Sequence, residues 1–229
     1  REQDYVATAI PGQFLIATQR VREIYVRNVF EPSVEYRFGR ENIIGINYRN
    51  NIYEIDSQVS EDSIENFINP RVAYWFNSKN GISLDYALDL GNFQRSPDMT
   101  GHLAKARYNY RFNPRTSIYG DFVYVTRDFD SPSIDYVLYQ STIGMEHAFS
   151  PTLSGQIRVG YYWQDPDRGS DQDGGLFDIS LTQRAEKTTY TIACQGGYAE
   201  DYYTSQNLGF TKYARGIGTV THQLFQRMT

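Results

Sequence analysis

Apolar and polar residues alternate with period two along most of the chain. Ala104, Ala106, Tyr108, Tyr110 and Phe112 fall on one side; Lys105, Arg107, Asn109 and Arg111 fall on the other. Ile82, Leu84, Tyr86, Leu88 and Leu90 alternate with Ser83, Asp85, Ala87 and Asp89. Leu153 to Trp163 and Phe177 to Leu181 repeat the pattern. Side chains of a strand point alternately to opposite faces, so this periodicity predicts β-strands with two unlike faces. Eleven strands are predicted, over residues 27–38, 43–53, 67–76, 82–91, 102–112, 117–127, 136–149, 153–163, 176–184, 189–198 and 208–225. Residues 12–19 are a candidate twelfth. The last strand has an irregular pattern, with Thr219, Thr221 and Gln223 on its Phe-aligned face, so a bulge or register shift is expected there.

The strands come in pairs joined by a recurring turn. Phe38, Phe76, Phe112 and Phe149 each precede a cluster of turn residues, at spacings of 38, 36 and 37 residues. The turns expected are Gly39–Asn42, Asn77–Asn80, Asn113–Thr116, Ser150–Thr152 and Ala185–Lys187. Between the pairs lie longer, mostly acidic loops: Asp56–Asn66, Phe93–Thr100, Asp128–Asp135, Asp165–Gly175 and Glu200–Asn207. Short turns alternating with long loops predict one antiparallel up-and-down meander with two different rims. No linker or change of composition divides it, so residues 1–229 are read as a single domain.

Composition decides what the apolar face meets. Aromatic residues make up 15% of the chain, with 20 Tyr and 13 Phe, which suits strands. The other face is charged, carrying nine basic groups (among them Arg127) and seven acidic ones (among them Glu31, Glu35 and Glu146). Each unpaired buried charge costs several kcal/mol, so such a face cannot be a dry core but can line a wet lumen. Strands of about ten residues also match a bilayer crossing. Aromatics gather at strand ends, as in Tyr36 with Phe38 and Tyr161 with Trp163. Together these predict an all-β transmembrane β-barrel in the bacterial outer membrane, with lipid against the apolar face. The eleven-strand count is odd, whereas bacterial single-chain barrels are even. Either residues 12–19 complete a twelve-stranded barrel or the chain is part of a larger one. The net charge of −5 argues against a nucleic-acid partner, and a single cysteine, Cys194, excludes an internal disulfide.

The run Tyr36-Arg37-Phe38-Gly39-Arg40-Glu41-Asn42, followed by Ile46-Asn47-Tyr48-Arg49-Asn50, resembles a family of outer-membrane β-barrel porins. Tyr110-Arg111-Phe112-Asn113-Pro114-Arg115-Thr116-Ser117 resembles it too. The resemblance covers nearly the whole chain as a repeated pattern of strand, Tyr-x-Phe, turn and strand. It implies the barrel architecture. Because some members are encoded beside exopolysaccharide export machinery, it also implies a glycan as one candidate cargo.

The candidate chemistry is the lumen itself. Arg37, Arg49, Arg71, Asp85, Asp89, Lys105, Arg107, Arg111, Asp121, Arg158, Asp178 and Arg184 are expected to line it. Lys105 and Arg107 are expected to face Asp121 on one side and Asp89 on the other, as cross-strand charge ladders. Trp75 and Tyr119 share the inward parity and are candidates for stacking on sugars. His102, His147 and His222 lie on separate strands without metal-ligand spacing, so no metal or cofactor is expected. The Asp165–Gly174 loop is the one weak calcium candidate and is better explained as a solvated loop. Gln195-Gly196-Gly197 lacks the further glycines and the lysine of a phosphate loop; its glycines are expected to relieve crowding. A porin or export channel for hydrophilic solutes or glycan is the leading expectation. A non-conducting scaffold for a periplasmic or surface protein comes second. An outer-membrane enzyme comes third and is set aside, because no nucleophile and base can be assembled.

Overall fold

A computed structural model describes residues 24–56, 61–130, 133–202 and 209–223. They form one antiparallel sheet: β1 (Ile24–Phe30), β2 (Ser33–Phe38), β3 (Asn42–Asp56), β4 (Ser63–Trp75), β5 (Asn80–Phe93) and β6 (Met99–Asn113), then β7 (Thr116–Phe129), β8 (Tyr136–Ala148), β9 (Leu153–Pro166), β10 (Gln172–Arg184), β11 (Thr188–Asp201) and β12 (Gly209–His222). From β3 onward each strand pairs with the next; β1 and β2 both pair with β3. Those two are one row in a single register, Phe30 opposite Asn50 and Ser33 opposite Asn47. Pro32 interrupts it. Its carbonyl accepts from the Tyr48 amide at 3.0 Å, but proline has no N–H to return the bond. Twelve segments thus make eleven rows, and each predicted strand falls on one of them. Residues 12–19 lie outside the described residues.

The five short turns sit at one rim and the longer loops at the other, as the meander requires. Local hydrogen bonds explain both. Asn77 Oδ1 accepts from the amides of Lys79 and Asn80, each at 2.9 Å, and Asn113 Oδ1 from Arg115 at 2.8 Å. Ser150 Oγ accepts from the Leu153 amide at 3.0 Å. These short polar side chains imitate a backbone turn. At the loop rim, Asp62, Asp98 and Asp135 accept from the amides of Ile55, Phe93 and Phe129 at 2.7, 2.9 and 2.7 Å. Part of the acidity of the loops therefore staples strand ends. Among the described residues no group of acidic, histidine or cysteine side chains is arranged to hold a metal.

Two expectations are corrected. The β11–β12 ladder runs from Thr188 opposite His222 to Asp201 opposite Gly209 with no shift, so β12 has no bulge. Its weak pattern comes instead from Gly216 and Gly218, which lie opposite Cys194 and Ile192 on the apolar side. The register irregularity falls between Arg111 and Asn113. Lys105 lies opposite Asp85, while Asp89 lies opposite Gly101.

Pro70 stands inside β4, where the ladder to β5 has a gap between Ile68 opposite Leu88 and Arg71 opposite Asp85. Asn69 Nδ2 donates to the Tyr86 carbonyl at 2.7 Å, supplying a donor that proline lacks.

The outward face is apolar and exposed, with Ile44, Leu84, Tyr108, Phe122, Ile143, Ile157 and Ile192 among its residues. Aromatic rows bound it. At the turn rim, Tyr36 stacks near Phe38 and Tyr74 meets Phe76 edge-on. Toward the loops, Tyr86 hydrogen-bonds His102 Nδ1 at 2.7 Å, Tyr139 lies 6.0 Å from Trp163, and Tyr161 bonds Asp173. Ten residue steps separate His102 from Phe112 on β6, about 34 Å along the strand; at a tilt of about 40° this spans about 25 Å. That is the height of the apolar band of an outer-membrane barrel. The sheet is not closed among the described residues, and the β1/β2 row and β12 are its two edges.

Candidate functional site

The inward face carries ion pairs from strand to strand. Glu35 accepts from Arg37 at 2.8 Å and from Arg71 at 2.5 Å. Arg49 pairs with Glu65, whose other oxygen accepts from Asn51 at 3.3 Å; Asn51 in turn accepts from Arg27 at 2.9 Å. Arg107 holds Asp121 through two nitrogens, at 2.5 and 2.8 Å, and Thr142 donates to the same carboxylate at 3.2 Å. Arg158 and Gln195 both reach Asp178 at 3.3 Å, and Arg215 donates to Gln195 at 2.6 Å. Arg111 bonds Glu41 in the first short turn at 2.6 Å. Through that bond Arg111 holds the Glu41 carboxyl below its ordinary range.

The arginine side chains of these pairs keep contact with solvent: Arg49 is 34% exposed, Arg71 53% and Arg158 36%. The Asp121 side chain, by contrast, is 1% exposed beneath Arg107. Trp75 and Tyr119 do point inward, but their faces are already used. Arg111 lies 3.7 Å above the Trp75 ring and Arg107 4.2 Å above Tyr119. Both rings lean over glycines: a Cβ on Gly81 would lie 2.7 Å from Trp75, and one on Gly144 2.3 Å from Tyr119. Of the twelve residues expected to line the lumen, Arg184 is the outlying one, exposed at the turn end of β10. Asp85 and Lys105 oppose each other in register, and Asp89 is buried.

The loop half of this face is different. Val123, Val125, Tyr136, Leu138 and Tyr162 are buried there, with Leu103, Phe129, Leu176, Tyr198, Tyr202 and Phe210 packed against them. The plug forms because β11 leaves β10. Their pairing ends at Phe177 opposite Gly196, while β11 and β12 continue together. Gly197 takes φ +155°, a conformation side-chain-bearing residues avoid. Tyr198, Glu200, Tyr202 and Phe210 then reach across the interior. Tyr198 lies 4.8 Å from Tyr162 and donates to Gln140 at 2.8 Å. Glu200 pairs with Arg127 at 2.8 Å and accepts from Tyr136, which also meets the Tyr202 hydroxyl at 2.7 Å. Burial pushes the Tyr202 hydroxyl up to about 12. The Gly196-Gly197 pair is thus a bend that redirects the hairpin, beyond the relief of crowding expected of it.

Sequence reasoning missed this plug, along with Arg27, Glu65, Glu200 and Arg215. A signal was present. Val123-Tyr124-Val125, Tyr136-Val137-Leu138-Tyr139 and Tyr161-Tyr162-Trp163 are apolar on both parities, the mark of strands covered on both faces.

An open-edged antiparallel wall, apolar and girdled outside and ionic inside, defines an outer-membrane β-barrel protein. No protein-family model matches the chain, and no curated protein matches its sequence. Similar solved structures include OmpT, an outer membrane protein of Vibrio cholerae, at 9% identity and TM-score 0.46, covering 87% of this chain and 96% of that one. The CymD monoaromatic hydrocarbon channel matches at 10% identity and TM-score 0.47, covering 89% and 78%. The NanC porin matches at 10% and 0.44, covering 87% and 99%. LpxR from Salmonella typhimurium is also similar, at 7% identity and TM-score 0.41, covering 85% and 88%. The likeness is one of fold. It corrects the expectation that set an enzyme aside: the similar structures include a deacylase, LpxR, beside channels.

Proposed function

We propose that the protein is an outer-membrane channel for small hydrophilic solutes, with its loop-side mouth narrowed by the β11–β12 hairpin tip. The observation that carries this reading is the inner wall. Ion pairs with partly exposed guanidiniums recur on β2, β3, β4, β9 and β10, and charges in that state need water beside them. Their near-neutral pairing gives a polar but weakly selective conduit. A glycan is a second cargo class on the same wall, although Trp75 and Tyr119 are covered by arginines and offer it no free ring face. The aromatic plug favours one alternative, a barrel closed at its loop side that serves as a scaffold for a partner protein. Planar bilayers separate the two. The channel reading expects ohmic conductance with weak ion selectivity from folded protein. Folded but silent protein refutes it in favour of the scaffold.

A further inference from the structure

The two rims carry opposite charge. At the loop rim, acidic residues such as Asp128, Asp130, Asp165 and Asp167 far outnumber Arg95 and Arg168. At the turn rim the balance reverses. Arg40, Lys79, Arg115 and Lys187 stand in four of the five short turns, and all are exposed. The fifth turn, at Ser150–Thr152, has no cation of its own. Arg184 is tied beside it, its amide donating to the Thr152 carbonyl at 2.7 Å. Among the described residues none of these five side chains has an ionic partner. Of the two acids at this rim, Glu41 is taken by Arg111, which leaves Glu186.

The placement of these cations identifies what they meet. Phe38, Phe76 and Phe112 mark the turn-side edge of the apolar band, and such aromatic belts sit at headgroup level. Arg40, Lys79 and Arg115 follow those rings by two or three residues. Neighbouring short turns are two strands apart, about 10 Å along the rim. The cations therefore form a spaced row at the depth of lipid phosphates. We propose that the short-turn rim is a binding surface for anionic phospholipid, with headgroup phosphates against Arg40, Lys79, Arg115 and Lys187 and with Arg184 beside the remaining turn. The proposal rests on the membrane reading above. A cation near an anionic bilayer surface favours association by about five-fold.

The test uses the full chain in phosphatidylcholine vesicles with trace spin-labelled phosphatidylglycerol or spin-labelled phosphatidylcholine. Electron spin resonance reads the motionally restricted fraction of each lipid at the protein. The expected result is selection of phosphatidylglycerol by about five-fold or more, falling toward parity in 1 M salt. R40Q/K79Q/R115Q/K187Q should abolish the preference, and R40K/K79R/R115K/K187R should keep it. Equal association of both lipids with inserted wild-type protein overturns the proposal alone. So does a preference that survives the glutamine substitutions. Retention of soluble polyglutamate without any lipid preference reassigns the rim to an anionic macromolecule and overturns the lipid assignment. Failure to insert into any vesicle overturns the membrane reading and this proposal with it.

Discussion

Ala106→Arg tests which face of the wall meets lipid. Ala106 lies on the apolar side of β6, between Leu84 of β5 and Phe122 of β7. The band on this strand runs from His102 to Phe112, so Ala106 is within one residue of its midpoint. A hollow of about 510 Å³, lined in part by Pro70, Ala104, Ala106 and Tyr124, opens beside it and leaves room for the new side chain. Steric cost is therefore small, and the penalty is that of a charge at mid-bilayer, about 2–4 kcal/mol. Urea titration of protein refolded in phospholipid vesicles reads that loss. Lys105→Ala, one residue along on the wet face, should stay within about 0.5 kcal/mol of wild type. Arg107→Ala is not a mild control, because it would leave the buried Asp121 carboxylate with Thr142 alone. A neutral Ala106→Arg with a strongly destabilising Lys105→Ala would reverse the two faces. Loss of stability in a protein that stays monomeric without detergent would make the apolar face a dry interior and end the membrane reading.

Glu200→Gln should loosen the plug by uncoupling Arg127 and Tyr136, costing about 3–5 kcal/mol for a buried pair broken on one side. Single-channel recording should show larger or noisier conductance, and unchanged traces would remove the hairpin tip from the conduction path. Gly144→Ala should cost about 1–3 kcal/mol by driving a methyl into Tyr119, and Tyr119→Ala should relieve most of that in a double variant. Because the Arg111 hydrogen bond lowers the pKa of Glu41, its stabilising contribution is full above the ordinary carboxylate range. That contribution is lost as pH falls through the depressed value. Glu41→Gln should remove that part of the acid limb, seen as a flatter dependence of the urea midpoint on pH.

The strands were legible because a wall with lipid on one side and water on the other imposes period two on nearly every row. The inward charges followed from the same parity, and Arg107 opposite Asp121 follows once the turn length fixes the register. What parity cannot give is a partner further along the ladder. Lys105 meets Asp85 because the Phe93–Thr100 loop between β5 and β6 sets a register that parity leaves open. The loop between β9 and β10 is shorter than its acidic, glycine-rich sequence suggests, because Gln172 pairs with Gln164 and extends both strands. The plug was hardest to see. It depends on a departure from the repeat, where Gly197 bends one hairpin toward strands distant in the chain.

That departure also orders assembly. Most other ties in the wall join strands close in the chain, as the Glu35–Arg71 bond does across 36 residues; Arg111 to Glu41 at the turn rim is the long exception. The plug joins residues far apart: Tyr198 to Gln140 across 58 positions, Tyr136 to Tyr202 across 66 and Arg127 to Glu200 across 73. Closing a loop costs more entropy the longer it is, and contacts of high sequence separation wait for the shorter ones to bring them together. The Arg127–Glu200 lock closes after β7 to β11 are in place, so it registers the curvature of five strands at once and makes the loop rim the last part of the molecule to become rigid.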